Sequence, residues 1–391
     1  MTIIMLSLSL LTLISGVSGA EAPENWKRID TEGLFQASGQ YSIQLVIFES
    51  ELYVQAENGL YKYKDMSWEK QTISSKDLNP FKSADLSQFS SGTDVKPILI
   101  FNGQLYARVY PKGSTTFEIW RSSDFGKEKM TWEKVVSDGF GNPLNHNLGL
   151  LTEYNKKLVV VTTNTRTNPN VSFGDSNYYG SGIQVWESPS GDAGSWYQIN
   201  KDGFGTELTI FGRGGKKKTV RINQDFGSGA IYNGHLYIGT LCHLGGAQVW
   251  RYDGTGLNGW KDVTPWGDVT SPGALLLPFR VASMAVYDNS LYLAEGFPTG
   301  NLQKYNGTNW EMVVAGPNPF ASTNIGIVSL AVKNGRLYAA TYGNSSYNCG
   351  QVWSYPSYVR IWVPKWYYWS RWHYYHGQIP PVPPLPPIEN M

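Results

Sequence analysis

The chain has 391 residues, 41% of them hydrophobic and 16% charged, a composition that can bury a large core and that excludes disorder for most of its length. Lys plus Arg number 32 against 31 for Asp plus Glu, so there is no general electrostatic pull toward nucleic acid or an anionic membrane, and any charged site must be local. With 25 Tyr, 15 Trp and 42 Gly, the residues favour strands joined by tight turns.

Residues 1–20 carry no charge, run apolar from Ile3 to Ile14 and end in small residues, with Ser18 and Ala20 placed as at a signal-peptidase site. The mature protein is expected to begin near Glu21 and to be secreted or held at the cell surface. A retained N-terminal anchor is the alternative, because no Lys or Arg precedes the apolar core. Sequons at Asn170, Asn306 and Asn344 are glycan acceptors in a host that glycosylates exported chains.

From Trp26 onward one phrase recurs: an alternating apolar strand, a tight turn, then a second strand opening on Leu. The second strands start at Leu52, Leu105, Leu158, Leu236, Leu291 and Leu337. The turns before them include Asn102-Gly103, Asn155-Lys156, Asn233-Gly234, Asp288-Asn289 and Asn334-Gly335, residues that accept the positive φ of a two-residue hairpin. A third strand ends in an aromatic residue, at Tyr63, Trp120, Trp186, Trp250, Tyr305 and Trp353, and a fourth is marked by Trp68, Trp132, Trp196, Trp260 and Trp310.

The sixth copy lacks a fourth strand, and a matching segment, Trp26 to Ile29, stands alone near the start of the mature chain. An N-terminal strand that completes the last sheet removes an unpaired edge. The predicted fold is therefore all-β, a six-bladed β-propeller over residues 21–355, closed by its N-terminal strand. Spacings of 64, 64, 64 and 50 residues between successive Trp markers leave room for long loops. Two stacked sheets or a sandwich is the alternative, although a four-strand period does not suit it.

Between third and fourth strands the chain reads Ser122-Ser123-Asp124-Phe125-Gly126 before Trp132, and Ser190-Gly191-Asp192-Ala193-Gly194-Ser195-Trp196. These phrases resemble Asp-box turns, the Ser-x-Asp-x-Gly-x-x-Trp signature of many propellers, sialidases among them, although the spacing to Trp departs from the pattern in both. The resemblance spans residues 25–355 as a repeat architecture and implies a propeller rather than an activity. Asp-Gly-Phe-Gly recurs at 138–141 and 202–205, and together the phrases resemble exported repeat proteins with no assigned activity.

In such a blade the first-to-second and third-to-fourth turns share one face, and the second-to-third loops and blade connections share the other. The first set is tight. The second includes a loop over 163–183 and a connection over 203–226, so a binding site is expected on that face at the mouth of the central channel. The candidate ligand-binding residues are Arg108, Arg166, Asp175, Tyr178, Tyr179, Arg213, Lys217, Arg221, His243, Arg280 and Glu295, with Glu57 beside them. The basic run at Arg213 to Arg221 suits an acidic glycan, a carboxylate or a phosphate, or is a solvated loop. Tyr178, Tyr179 and Asp175 suit a sugar, or ordinary loop packing.

The expected function is non-enzymatic binding of carbohydrate or protein. One alternative is a glycoside hydrolase of sialidase type, which the resemblance ties to an arginine cluster, a Tyr activated by Glu and an Asp acid/base. Phe279-Arg280-Val281 resembles the start of the sialidase Phe-Arg-Ile-Pro motif, but Ala282 stands in place of Pro and the phrase falls in the fifth repeat. The other alternative is a structural subunit of a surface assembly.

No cofactor is expected, and the five His residues show no zinc spacing. Cys242 and Cys349 form a disulfide only if the fold brings their Cα atoms within about 7 Å; free or intermolecular thiols are the alternative. Residues 356–391 form a separate tail, with Trp362, Trp366, Trp369 and Trp372 among Tyr residues, the cations Arg360, Lys365 and Arg371, and a proline-rich arm at 380–387. The mixture suits a membrane interface, a glycan, another copy of the chain, or a tail folded back over one propeller face.

Overall fold

The computed structural model describes residues 25–31, 34–35, 43–164, 181–211, 217–242, 246–267, 269–270, 277–296, 299–316, 320, 324–343 and 350–356. Residues 1–24, with the expected signal-peptidase site, the tail beyond Pro356, Asn170, Asn344 and Cys349 lie outside the described residues.

The chain is all-β, and among the described residues the strands form six four-stranded antiparallel sheets and one two-stranded ribbon. Sheet 1 runs through Gln44–Phe48, Glu51–Ala56, Gly59–Lys64 and Ser67–Lys70, and sheet 2 through Asp94–Phe101, Gln104–Tyr110, Glu118–Ser122 and Glu133–Val136. Sheet 3 comprises Asn147–Tyr154, Lys157–Thr163, Val185–Ser188 and Tyr197–Gln198, and sheet 4 Asp225–Tyr232, His235–Leu241, Val249–Tyr252 and Trp260–Asp262. Sheet 5 comprises Val281–Tyr287, Ser290–Glu295, Leu302–Tyr305 and Trp310–Val314. Sheet 6 has Asn324–Lys333, Arg336–Gly343 and Val352–Tyr355, and its fourth strand is Lys27–Arg28 from the other end of the chain.

Lys27 pairs with Ser354 and Arg28 with Trp353. Just beyond, the Ile29 N–H donates to the Val352 carbonyl at 2.9 Å, and the Val352 N–H donates to the Asp30 carboxylate at 2.8 Å. Every first-to-second turn takes two residues of positive φ, from Glu49-Ser50 to Asn334-Gly335, the geometry that matches the twist of a hairpin.

Alternation divides each second strand between two neighbours. Leu158 and Val160 pack with Phe101 and Tyr106 of sheet 2, while Val159 and Val161 pack with Leu236 and Ile238 of sheet 4. Similar cores join sheets 4 and 5, 5 and 6, and 6 and 1. The free face of sheet 2 is covered by Phe81, Ala84, Leu86 and Phe89, from the segment that follows sheet 1. Sheets stacked in sequence, with their first strands innermost, follow the plan of a β-propeller.

The Asp-Gly-Phe-Gly phrases are inter-sheet connectors. Phe140 and Phe204 hold left-handed φ of 66° and 59°, which a bulky residue adopts only when packing compels it. Each ring lies on the third-strand Trp of the next sheet, Phe140 on Trp186 and Phe204 on Trp250. Phe320, at φ 67°, does the same to Trp353, and its second neighbour is Trp26. Gly203 is required because an added Cβ would lie 2.4 Å from the Ile222 carbonyl oxygen.

The two Asp-box-like turns differ. Asp124 accepts the Thr131 N–H at 3.3 Å and pairs with Lys127, whereas Asp192 reaches into sheet 2 to pair with Arg121 at 2.6 Å. The connection over 203–226 is more ordered than its basic run suggests. It contains the ribbon Glu207–Phe211 with Lys217–Arg221, seated by Val220 and Leu208 against Cys242 and Val269.

Candidate functional site

Strands of sheets 1, 3, 4, 5 and 6 line a cavity of about 630 Å³. Its wall is supplied by Gln44 and Gln55 of sheet 1, Leu150 of sheet 3, Ser228 of sheet 4, Ser283 of sheet 5 and Ser329 of sheet 6. Glu57 and Arg280 line it as well. Gln44 pairs with Gln55, and Val281, next to Arg280, pairs with Glu295. These residues therefore sit where first strands begin and second strands end, on the face that carries the longer loops.

A bulge in each of sheets 4, 5 and 6 turns a serine toward the next sheet. The Met284 N–H donates to Ser228 Oγ at 2.9 Å, the Leu330 N–H to Ser283 Oγ at 3.0 Å, and the Leu45 N–H to Ser329 Oγ at 3.1 Å. Sheets 4, 5, 6 and 1 are thus laced in series around the cavity. The equivalent position in sheet 2 is Pro97, opposite Ala107 as Leu45 is opposite Val54, and proline has no N–H to give.

Two groups at the cavity have hydrogen-bonding capacity to offer. The Arg280 guanidinium is exposed and makes no ion pair or hydrogen bond among the described residues; partial loss of its hydration shell pulls its pKa below the usual arginine value, and the charge of Asp225 pulls it back up. Gln55 spends its Nε2 on the Ala56 carbonyl at 2.8 Å, while its buried Oε1 has no partner among the described residues. A rigid wall with free donors and a free acceptor suits a polar ligand bearing several hydroxyls and an anionic group.

Other sequence-predicted residues sit in networks of their own. Arg108 pairs with Asp94 at 2.9 Å and lies over Tyr110 at 4.6 Å. Arg221 lies 3.3 Å from Asp202 and 3.7 Å from Glu207, and Lys217 is exposed at the start of its strand in the ribbon. Arg166, Asp175, Tyr178, Tyr179, Arg213 and His243 lie outside the described residues. Asn306 is exposed, and its Oδ1 accepts the Thr308 and Asn309 N–H groups at 2.9 and 2.8 Å.

Glu295 is 1% exposed and accepts hydrogen bonds from Thr299 Oγ1 at 2.6 Å, Asn301 Nδ2 at 2.7 Å and Gln303 Nε2. Burial pushes its pKa up, against the three hydrogen bonds. It occupies the place that Thr162, Thr240 and Thr341 hold four residues after the recurrent Leu in sheets 3, 4 and 6. There a buried Asn, Thr and Gln lock the end of each sheet. Asn223 Nδ2 donates to Gln248 Oε1 at 2.7 Å and Thr240 Oγ1 to Asn223 Oδ1 at 2.6 Å, and Asn324, Thr341 and Gln351 repeat the pattern. The sequence signal for this lock is Gln-Val-Trp, recurring at 184–186, 248–250 and 351–353.

A Tyr and Glu pair does occur, on the outer strands of sheet 3. The Tyr197 hydroxyl donates to Glu187 at 2.5 Å beside Lys157, and that bond, with burial, raises the Tyr197 pKa, the opposite of an activated nucleophile. Among the described residues no three His, Cys, Asp or Glu side chains cluster as metal ligands would.

No family model matches the chain, and no curated protein matches it. Among solved structures it is similar to a luciferin-regenerating enzyme, at 11% identity and TM-score 0.42, over 82% of this chain and 92% of that one. It is also similar to a Hadza microbial sialidase, at 11% identity and TM-score 0.40, over 84% and 68% of the two chains. A Trypanosoma rangeli sialidase aligns at 12% identity and TM-score 0.39, over 86% of this chain and 59% of its own length. At these values none of their activities passes to this chain.

Proposed function

We propose that the chain is an exported, six-bladed propeller, closed by its N-terminal strand, that binds carbohydrate without turning it over. The ligand enters the central cavity from the loop-rich face. The observation that carries the reading is an exposed Arg280 guanidinium, without a hydrogen bond or ion pair among the described residues, on the same cavity as the unpartnered Gln55 Oε1. Arg280 takes an acidic substituent and Gln55 Oε1 takes a hydroxyl proton, while the lacing serines keep the wall rigid.

Binding rather than hydrolysis is favoured because, among the described lining residues, Glu57 is the one carboxylate and no Tyr is present, whereas glycoside hydrolysis ordinarily needs two facing carboxyl groups. A glycan array at physiological salt, followed by calorimetry on the hits, tests the reading. Arg280→Ala is expected to weaken binding of acidic glycans by about tenfold or more, as loss of a charged hydrogen bond does. Turnover of a glycoside without stable binding would reverse it, and unchanged affinity in Arg280→Ala would move the site elsewhere.

A further inference from the structure

On the face opposite the candidate site, the first strands carry a row of aliphatic residues at one repeated position. Ile47, Ile100, Ile231 and Val286 each pair with the recurrent Leu of the second strand. The Leu partners are buried, but the four first-strand residues are 40%, 44%, 45% and 41% exposed. Half-buried Val332 holds the position in sheet 6, and exposed Glu153 holds it in sheet 3. Single exposed aliphatics need no explanation, but five at one structural position around a channel rim form a patch that calls for a cover.

The chain leaves the last sheet on this same face. Its final described strand ends at Tyr355, which pairs with Leu337, itself paired with Val332. The Tyr355 ring lies 6.2 Å from that of Tyr287, the neighbour of Val286. Residues 357–391 follow from that point, with Trp362, Trp366, Trp369 and Trp372 and the cations Arg360, Lys365 and Arg371. At roughly 3.3 Å per extended residue they outreach any distance across a domain of this size.

We infer that residues 357–391 of the same chain dock on this aliphatic rim, the tail tryptophans covering Ile47, Ile100, Ile231, Val286 and Val332. The inference is independent of the ligand reading, which concerns the opposite mouth. Its occupant is the chain's own tail because the tail starts beside the rim, so docking closes a short loop rather than bringing two bodies together.

Limited trypsin digestion of the full chain, followed by mass spectrometry, tests it. Cleavage after Arg360, Lys365 and Arg371 is expected to be slow, and Ile100→Asp with Val286→Asp, both at exposed positions, is expected to speed it about tenfold by undocking the tail. Replacing Trp362, Trp366, Trp369 and Trp372 by Ala leaves the sheets untouched and is expected to do the same, so a folding defect in the first variant does not decide the matter. Equal cleavage rates in all three proteins would overturn the inference. Protection that rises with protein concentration, together with a doubled mass by light scattering, would also overturn it, by assigning the rim to another copy's tail.

Discussion

Phe140 lies flat on Trp186, their ring centroids 4.4 Å apart and their planes within 1° of parallel. The contact joins the connector leaving sheet 2 to the third strand of sheet 3, and Trp196 closes on the same ring edge-on at 5.6 Å. Because Phe140 sits at a φ of 66°, its packing must outweigh about 1–2 kcal/mol of left-handed strain. Phe140→Ala keeps the strain and loses the stack, for an expected cost of about 2–4 kcal/mol. Phe140→Gly loses the stack and sheds the strain, and should be about 1 kcal/mol more stable than the Ala variant. Urea midpoints of the two variants check this; an Ala variant at least as stable as Gly would mean that the backbone there relaxes.

The sheets were legible in the sequence because their signals are local. A Leu after a positive-φ turn, and a Trp after a third strand, lie within a few residues of the groups that fix them. Trp26 was legible as a fourth strand because it repeats that local phrase. The ribbon at Glu207–Phe211 and Lys217–Arg221 was not, because consecutive lysines hide the apolar face that Leu208 and Val220 supply. The site was legible only in part. Arg108, Arg280 and Glu295 all read as charges on one face, but whether a charge is spent depends on neighbours far along the chain or on the local loop. Arg108 meets Asp94, Glu295 meets three donors, and Arg280 feels the charge of Asp225 without a hydrogen bond or ion pair to it. The lacing serines escaped notice because each acts on an N–H of a different sheet, 56 residues away for Ser228 and Met284.

The serine lacing carries a second prediction. Ser283→Ala leaves the Leu330 N–H without its acceptor at 3.0 Å, and a part-buried amide stripped of its partner costs about 1–3 kcal/mol. Hydrogen exchange at Leu330 should quicken while exchange at Leu45, laced by Ser329, holds. Equal acceleration at both would show that the lacing acts as one unit rather than as separate bonds.

Stability should fall at alkaline pH for an identifiable reason. Burial pushes the Tyr237 and Tyr252 hydroxyls up to about 12 from an ordinary value of 10.0. A group whose folded pKa is raised contributes stability that is whole below its unfolded pKa and is lost as pH rises toward the folded value. The loss from these two tyrosines is therefore expected between pH 10 and 12, with their phenolate absorbance appearing together with unfolding. Buried Glu295, also raised, has the same sign in an acid window that opens at its ordinary value of 4.5. Relative to a Glu295→Gln variant, the native protein should lose ground as pH climbs from below 4.5 toward neutrality. A urea midpoint difference that is flat across that range would show that its three donors compensate fully for burial.

The N-terminal strand gives the most direct test of closure. Trp26 is 7% exposed and meets Phe320 at 4.8 Å and Tyr355 at 5.3 Å, while Ile29 and Asp30 engage both backbone groups of Val352. Trp26→Ala is expected to cost about 3–5 kcal/mol, as for a buried aromatic. Removing residues 21–31 is expected to do more, because it also unpairs the strand Val352–Tyr355 and opens that edge of sheet 6 to another chain. A peptide spanning residues 21–31, added to the shortened protein, should then restore thermal stability in a concentration-dependent manner and suppress self-association measured by light scattering. Such rescue follows only if the strand binds a preformed slot in sheet 6. A shortened protein that is as stable and as monomeric as the full chain would remove the strand from any role in holding the sheets together.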